Sequence, residues 1–191
     1  MLSWAKKDIR REAVVSHRVS TVHLARYLVT EEDRAAAIEG LAANRAKAYV
    51  HTGDAKRDLV QNTTINSNRK RFMNVLKRYE EQKTDPTMPM EMHVLRVGDI
   101  AFASNRFELY MDYQHRIQAR SPFEQTFIVQ LSGQPGNNGG TYLPTERGFE
   151  GRGYSAIVYS MAASPEGGQQ LVEETVKQLK ELYQETGRDS Q

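Results

Sequence analysis

Apolar positions along the chain follow two spacings, one typical of strands and the other typical of helices. Alternation with a period of two from Val19 to Val29 predicts a strand. Thr30-Glu-Glu-Asp33 is a variant of the capping box with acids in the first turn, and it predicts a helix to about Tyr49. A second helix is predicted from Ile65 to Gln82. Its apolar face consists of Ile65, Phe72, Val75, Leu76 and Tyr79.

The middle of the chain predicts a strand-helix-strand unit. Glu91–Val97 and Asp99–Ser104 have strand patterns, and Gly98-Asp99 between them is typical of a hairpin turn. A helix is predicted from about Phe107 to Ala119, and the nearly continuous β-rich run Thr126–Leu131 is typical of a fully buried strand. Two strands joined by a helix at this length imply a right-handed parallel crossover.

The last third of the chain begins with a glycine-rich segment. Residues 132–153 contain seven glycines, and so long a loop within a compact domain is usually functional or disordered. A short strand is predicted over Tyr154–Met161. Ser164-Pro165-Glu166 has the sequence of a helix start, and the helix is predicted to continue to about Tyr183. The elements together predict an α/β fold in a single domain, residues 1–191: a small mixed sheet with a parallel crossover and flanking helices.

Composition is that of an ordinary globular protein. The chain has 191 residues, of which 39% are hydrophobic and 26% charged, enough for one buried core. No apolar run approaches the roughly 18 residues of a membrane span. Without an apolar h-region after Met1 no signal peptide is predicted, and the cytoplasm is the default location. The absence of cysteine excludes disulfides and thiolate metal sites.

Charge is unevenly distributed along the chain. Residues 1–80 contain 16 Lys and Arg against 9 Asp and Glu, whereas the remainder contains 10 against 15. A basic first part is compatible with a non-catalytic module that binds an acidic partner. The basic clusters are short and lack interleaved aromatic residues, which favours solvated helix faces, so no nucleic-acid partner is expected.

Three residues near predicted strand ends are candidates for a site: Glu108, Tyr142 and Tyr154. In parallel sheets functional side chains collect in the loops at the carboxyl ends of strands, so we expect these three to line one concave surface. The pattern leaves simpler interpretations open. Glu108 in the first turn of a helix is also what a dipole-stabilised surface acid looks like. The two tyrosines are equally compatible with aromatic packing at the sheet edge.

Other site motifs are weak. The glycine-rich loop matches neither the P-loop nor the dinucleotide-binding spacing. The five histidines include no His-x-x-x-His pair, and His23 and His93 lie in strand patterns, where a core or surface imidazole is the simpler interpretation. Glu108, Asp112 and His115 would share one face of the predicted helix. That face is compatible with a metal site, although a solvated helix face is the more common outcome.

Three stretches share a pattern with a known family: Asn105-Arg-Phe-Glu108, the segment Ala119–Leu131, and Gly140–Arg147 with Gly153-Tyr-Ser155. They resemble the neutral (non-lysosomal) ceramidase family, especially its bacterial relatives of unassigned substrate. The resemblance covers roughly residues 92–185, while residues 1–90 are the helix-rich basic part outside it. The spacing from Tyr142 to Tyr154 agrees with that of the family.

The resemblance implies a role for each candidate. In that family a Pro-Gly-Glu-like turn supplies a zinc-ligating glutamate, and a Gly-Tyr-x-x-Thr segment supplies a ligating tyrosine. By resemblance Glu108 and Tyr142 are zinc ligands. Tyr154 matches a second tyrosine beside the scissile amide, which would donate a hydrogen bond to the oxygen that gains negative charge. The implied reaction is hydrolysis of an N-acyl amide or sphingolipid-like substrate by a zinc-activated water.

The chain departs from the family pattern in two places. Asn105-Arg-Phe stands where the family has proline and glycine before the glutamate. The two histidine ligands of the family lie far upstream, in a region that this chain does not have. The sequence therefore predicts the C-terminal part of a larger ceramidase-like zinc amidohydrolase, inactive alone and able to hold zinc only together with the missing ligands.

Overall fold

A computed structural model of the chain describes Ile9, residues 12–133 and residues 141–185. The chain divides into two compact units, each built from segments that are distant in the sequence. The division does not follow the change in composition near residue 90, and a single folding domain stays a prediction. The first unit comprises Met1–His23, Pro89–Gly140 and Gln169–Gln191, and the second comprises Leu24–Met88 and Thr141–Gly168.

The described residues contain six strands, five α-helices and one turn of 3-10 helix at Tyr154–Ala156. The strands are β1 Val15–Ala25, β2 Thr87–Val97, β3 Ile100–Ser104, β4 Glu108–Leu109, β5 Gln125–Val129 and β6 Tyr142–Leu143. The helices are α1 Glu31–Arg45, α2 Ala55–Glu81, α3 Met111–Gln118, α4 Glu146–Glu150 and α5 Pro165–Glu185.

The predicted α/β class is confirmed by a four-stranded mixed sheet in the order β1-β2-β3-β5. Strands β2 and β3 are antiparallel and joined at Gly98, whose φ of 61° is in the left-handed region that glycine accepts without strain. Strands β3 and β5 are parallel, with Ile100 opposite Gln125 and Ser104 opposite Val129, as the crossover prediction requires.

One face of the sheet is buried and the other is exposed. Side chains alternate along a strand, so even positions of β2 and odd positions of β3 point to the same side. The residues on that side are buried, and Thr175 of α5 donates a hydrogen bond to Met92 at 3.3 Å. On the exposed side, the prediction that Thr126–Leu131 is a fully buried strand is wrong, because Phe127 and Val129 of β5 are 44% and 42% exposed. The buried side includes Met90, Met92, Val94, Ala101 and Ala103.

Helix α1 begins as predicted. Thr30 accepts a hydrogen bond from the backbone of Asp33, whose side chain accepts one from the backbone of Thr30. The helix ends at Arg45, before the predicted Tyr49.

Helix α2 begins ten residues earlier than predicted, because Asp54 accepts hydrogen bonds from the backbone of Lys56 and Arg57 and caps it. Its predicted apolar face is confirmed. Ile65 and Val75 are buried, and Phe72, Leu76 and Tyr79 pack against a core that contains Val29, Ala37, Val75 and Val158.

The helix predicted from about Phe107 to Ala119 is present as α3, but its predicted start and one other predicted element are wrong. The helix expected from Phe107 begins only at Met111, and Glu108 lies in the short strand β4 instead of a first helical turn. Tyr154–Met161 is not a strand but begins with the 3-10 helix. Part of the predicted glycine-rich loop, residues 134–140, lies outside the described residues. Its remainder contains β6 and α4. Among the residues that the structure describes, no helix is long and apolar enough to cross a membrane.

Candidate functional site

Two of the three candidate residues are in contact within the second unit. The rings of Tyr142 and Tyr154, twelve residues apart in the sequence, meet edge to face, with centroids 5.9 Å apart and planes at 80°. This is a favourable arrangement for two aromatic quadrupoles. Tyr142 is half-buried, whereas Tyr154 is 62% exposed. The pair therefore has one anchored ring and one that faces solvent.

Backbone hydrogen bonds hold Tyr142 in an extended conformation. Its N–H donates to the carbonyl of Ser160 at 2.8 Å, and Tyr142 forms an isolated parallel bridge with Met161. The next residue, Leu143, is fully buried, so the strand is fixed by packing as well as by hydrogen bonds.

The chain returns to Tyr142 through a short sequence of turns. Thr145 accepts a hydrogen bond from the N–H of Gly148 and caps α4. After α4, Arg152 has a φ of 51°, which is uncommon for a residue other than glycine. Gly153 then begins the 3-10 helix, with its carbonyl accepting from Ala156 at 2.9 Å. These turns reverse the chain, so the contact between the two tyrosines is a local consequence of residues 143–153.

A buried hydroxyl next to the pair lacks a hydrogen-bond partner among the described residues. Thr141 Oγ1 is inaccessible to solvent and has no acceptor or donor there. Such a group costs about 1–3 kcal/mol unless something outside the described residues satisfies it. Among the described residues, this hydroxyl next to Tyr142 is therefore buried without a hydrogen bond.

Glu108 lies in the first unit, after the carboxyl end of β3, as the sequence predicts. The buried side chain of Asn105 accepts a hydrogen bond from the N–H of Phe107 at 3.0 Å. The N–H of Leu109 donates to the side-chain oxygen of Gln130 at 2.7 Å. These bonds keep the segment extended and explain why no helix begins at Phe107. That Glu108 shares one surface with the tyrosines stays a prediction.

The alternative face of Glu108, Asp112 and His115 does not exist in the predicted form, because Glu108 precedes the helix that contains the other two. Within the described ranges, no group of three or more His, Asp or Glu side chains is placed to hold a metal ion. A catalytic zinc takes about three protein ligands. The zinc site that the resemblance implies, with Glu108 and Tyr142 as its ligands from this chain, stays a prediction.

Several basic groups of the first 80 residues are used within the fold. Arg69 donates to the backbone carbonyls of Asn44, Arg45 and Lys47 at 3.0, 3.4 and 2.8 Å. Arg78 donates to the carbonyl of Val158 at 2.6 Å, and burial lowers the pKa of its guanidinium. These two arginines act within the fold, and the alternative of a basic binding module stays a prediction.

Comparison of the chain with known protein families, with curated proteins and with solved structures finds no match. The assignment of a class therefore depends on the residues themselves and on the resemblance of the three stretches.

Two residues that shape these segments, Asn105 and Thr145, were not among the candidates drawn from the sequence. Asn105 and Thr145 each place a candidate residue through a hydrogen bond to a backbone N–H two or three positions later. The signal was present, since Asn and Thr before a change of chain direction commonly form such turns and caps.

Proposed function

We propose that this chain is the C-terminal part of a ceramidase-like zinc amidohydrolase. In this proposal Glu108 and Tyr142 contribute to a zinc site whose histidine ligands come from outside the chain, and Tyr154 acts on the substrate. The substrate class is an N-acyl amide, with a sphingolipid-like amide as the first example. The observation that supports the proposal best is the edge-to-face contact of Tyr142 and Tyr154.

The contact supports the proposal because the resemblance assigns both tyrosines to one site. A strand-end phenol and a phenol twelve residues later need not meet, yet the turns of residues 143–153 bring their rings together. The hydroxyl of Thr141, buried without a hydrogen-bond partner among the residues that the structure describes, also supports a site completed by other groups.

The role proposed for Tyr154 follows from its exposure and chemistry. A phenol donates one hydrogen bond, and 62% of this residue is exposed, so substrate can reach it. Packing against Tyr142 restricts the ring before substrate binds. A donor held in advance near an amide oxygen stabilises the charge that develops there in the transition state, where it contributes most to rate.

The test uses the gene with its flanking coding sequence, so that any histidine ligands are included. A fluorescent short-chain N-acylsphingosine is the substrate. Tyr154→Phe keeps the ring and removes the donor, and we expect kcat to fall on the order of 10² to 10³-fold, as for deletion of one oxyanion donor. Bound zinc and thermal stability should not change. Glu108→Gln should lower both zinc content and kcat, because a neutral amide is a poorer zinc ligand than a carboxylate.

A second tyrosine is a matched control. Tyr183 is 45% exposed and also meets an aromatic ring edge to face, Phe123 at 5.2 Å. Tyr183→Phe removes the same hydroxyl from the same kind of contact and should leave kcat within a few-fold of wild type. Equal kcat values for Tyr154→Phe and Tyr183→Phe would end the catalytic assignment of Tyr154.

A further inference from the structure

Two histidines and a glutamate form a connected row on the exposed face of the sheet in the first unit. Nε2 of His17 in β1 lies 3.0 Å from Nδ1 of His93 in β2. Nε2 of His93 lies 3.1 Å from a carboxylate oxygen of Glu91, two residues earlier in the same strand. Alternation along β2 places Glu91 and His93 on the same side, opposite the buried Met90, Met92 and Val94.

The two imidazoles meet end to end instead of face to face. Their centroids are 5.2 Å apart and their planes differ by 12°. A ring nitrogen lies about 1.1 Å from the centroid of its ring. Two such distances and the nitrogen separation of 3.0 Å together reach the centroid distance of 5.2 Å only if the two rings point at each other along one line. Both nitrogens therefore direct their in-plane bonding positions into the same small space.

The carboxylate of Glu91 determines which nitrogen of His93 has the proton. A carboxylate only accepts hydrogen bonds, so His93 donates its Nε2–H to Glu91 and keeps the lone pair of Nδ1 for the space facing His17. A carboxylate that accepts the second N–H of a histidine is the usual outer partner of a metal-bound imidazole, because it fixes the ring and raises its basicity.

We propose that His17 Nε2 and His93 Nδ1 form a two-histidine site for a divalent transition-metal ion, with Glu91 as the outer carboxylate. The ion belongs to the group that imidazole suits, with Cu²⁺ bound most tightly and Ni²⁺ and Zn²⁺ more weakly. Water or an exogenous ligand fills the other coordination positions. The site uses none of the residues of the proposed zinc centre.

Admitting the ion requires both rings to turn. The two ring nitrogens now point along the line that joins them, whereas ligand nitrogens about 2.0–2.1 Å from a tetrahedral ion are about 3.3 Å apart and point to one side of that line, so each ring rotates by roughly 35°. His17 is exposed and the side chain of His93 is 38% exposed, so both rings can turn by the required amount. Binding replaces the hydrogen bond between the rings, and His17 moves its remaining proton to Nδ1.

The surface around the pair has room for the additional ligands. A hollow of about 290 Å³ adjoins the two rings, lined by His17, His93, Leu95, Phe102, Ser104 and Val129. The hydroxyl oxygen of Ser104 accepts a hydrogen bond from the N–H of His93 at 2.9 Å, and its second lone pair can accept one from a metal-bound water.

The experiment titrates the chain with Cu²⁺ and follows binding by calorimetry and by electron paramagnetic resonance. We expect one ion per chain and a spectrum with two nitrogen donors. His17→Ala and His93→Ala should each remove the two-nitrogen signal, and Glu91→Gln should keep it but weaken affinity about tenfold, as loss of an outer partner does. His23→Ala is the matched control, since His23 is an exposed histidine at an outward position of the same strand β1.

Thermal unfolding provides an independent readout. Cu²⁺ should raise the Tm of the wild type and of His23→Ala but not that of His17→Ala. Tyr142→Phe and Glu108→Gln should bind Cu²⁺ like the wild type, which separates this site from the proposed zinc centre. Unchanged Cu²⁺ affinity in both His17→Ala and His93→Ala, or an equal loss in His23→Ala, would refute the two-histidine site.

Discussion

The crossover segment (Ile100–Val129) and the tyrosine segment (Tyr142–Met161) both hold candidate site residues, but by different means. In the crossover segment Glu108 follows a strand of a parallel pair and is adjacent to Phe107, which is fully buried. In the tyrosine segment the described strand has two residues, and caps and tight turns direct the chain. Tyr154 at its turn is 62% exposed.

The difference separates two ways of positioning a side chain. Glu108 depends on groups that are distant in the sequence, such as Gln130, and on the core beneath it. The tyrosine contact depends mainly on turns formed within residues 143–153. Substitutions of buried residues such as Phe107 and Leu143 should therefore lower the global stability of the protein in either segment, whereas substitutions at the exposed turn around Tyr154 should change only the local geometry.

The largest effect is expected at Phe107. Phe107→Ala removes a fully buried aromatic ring and leaves a cavity, so the free energy of unfolding should fall by about 3–5 kcal/mol. Tyr154→Ala removes a ring that is mostly exposed and should cost less than about 1 kcal/mol. Urea denaturation of both variants measures the contrast. Equal losses would show that the tyrosine segment is held by its core contacts as firmly as the crossover segment.

A smaller effect is expected at the cap of α4. Thr145→Ala removes the acceptor for the N–H of Gly148, and loss of such a cap costs about 1 kcal/mol. Thr145→Ser retains the hydroxyl and should restore most of the stability. A loss above about 3 kcal/mol, measured by the same denaturation, would contradict a purely local role, since Thr145 would then contribute through packing of its buried methyl group.

Several features that depend on neighbouring residues were predictable from the sequence, although the local cap of α2 at Asp54 was missed, and other errors involve distant residues. The capping box at Thr30 and the cap at Ser164 were predicted because each uses residues within three positions. The predicted start of helix α3 at Phe107 was wrong because the side chain of Gln130 accepts a hydrogen bond from the backbone of Leu109. The prediction that the apolar strand β5 is fully buried was wrong because it also depends on distant residues. Whether a second layer covers a strand is decided by the rest of the chain, not by the strand.

The tyrosine pair and the histidine pair show the same difference between local and distant contacts. The proximity of Tyr142 and Tyr154 arises from local turns, so a resemblance confined to one segment was enough to point to it. The pairing of His17 with His93 joins residues 76 positions apart and requires the order of strands in the sheet. The strand pattern gave no indication of it, because alternation shows which face a histidine occupies but not which strand lies beside it.

The smallest effect concerns the surface contact that follows the crossover helix. Arg120, two residues beyond α3, donates two hydrogen bonds of 2.6 Å to Glu173 of α5, and these bonds hold the pKa of the Glu173 carboxyl below its ordinary value. A depressed pKa in the folded state means that the contribution is fully present above the unfolded pKa and is lost as the pH falls through the folded value. The Tm difference between wild type and Glu173→Gln should therefore be positive at pH 7 and shrink towards zero as acid protonates the carboxyl.

Both partners are substantially exposed, so the difference should also decrease in 1 M salt. Glu174→Gln, which alters the neighbouring acid paired with Lys177, controls for the general effect of removing a charge from α5. A Tm difference that is independent of pH would mean that the Arg120 contact contributes packing and not charge, and that the crossover segment is held by its core alone.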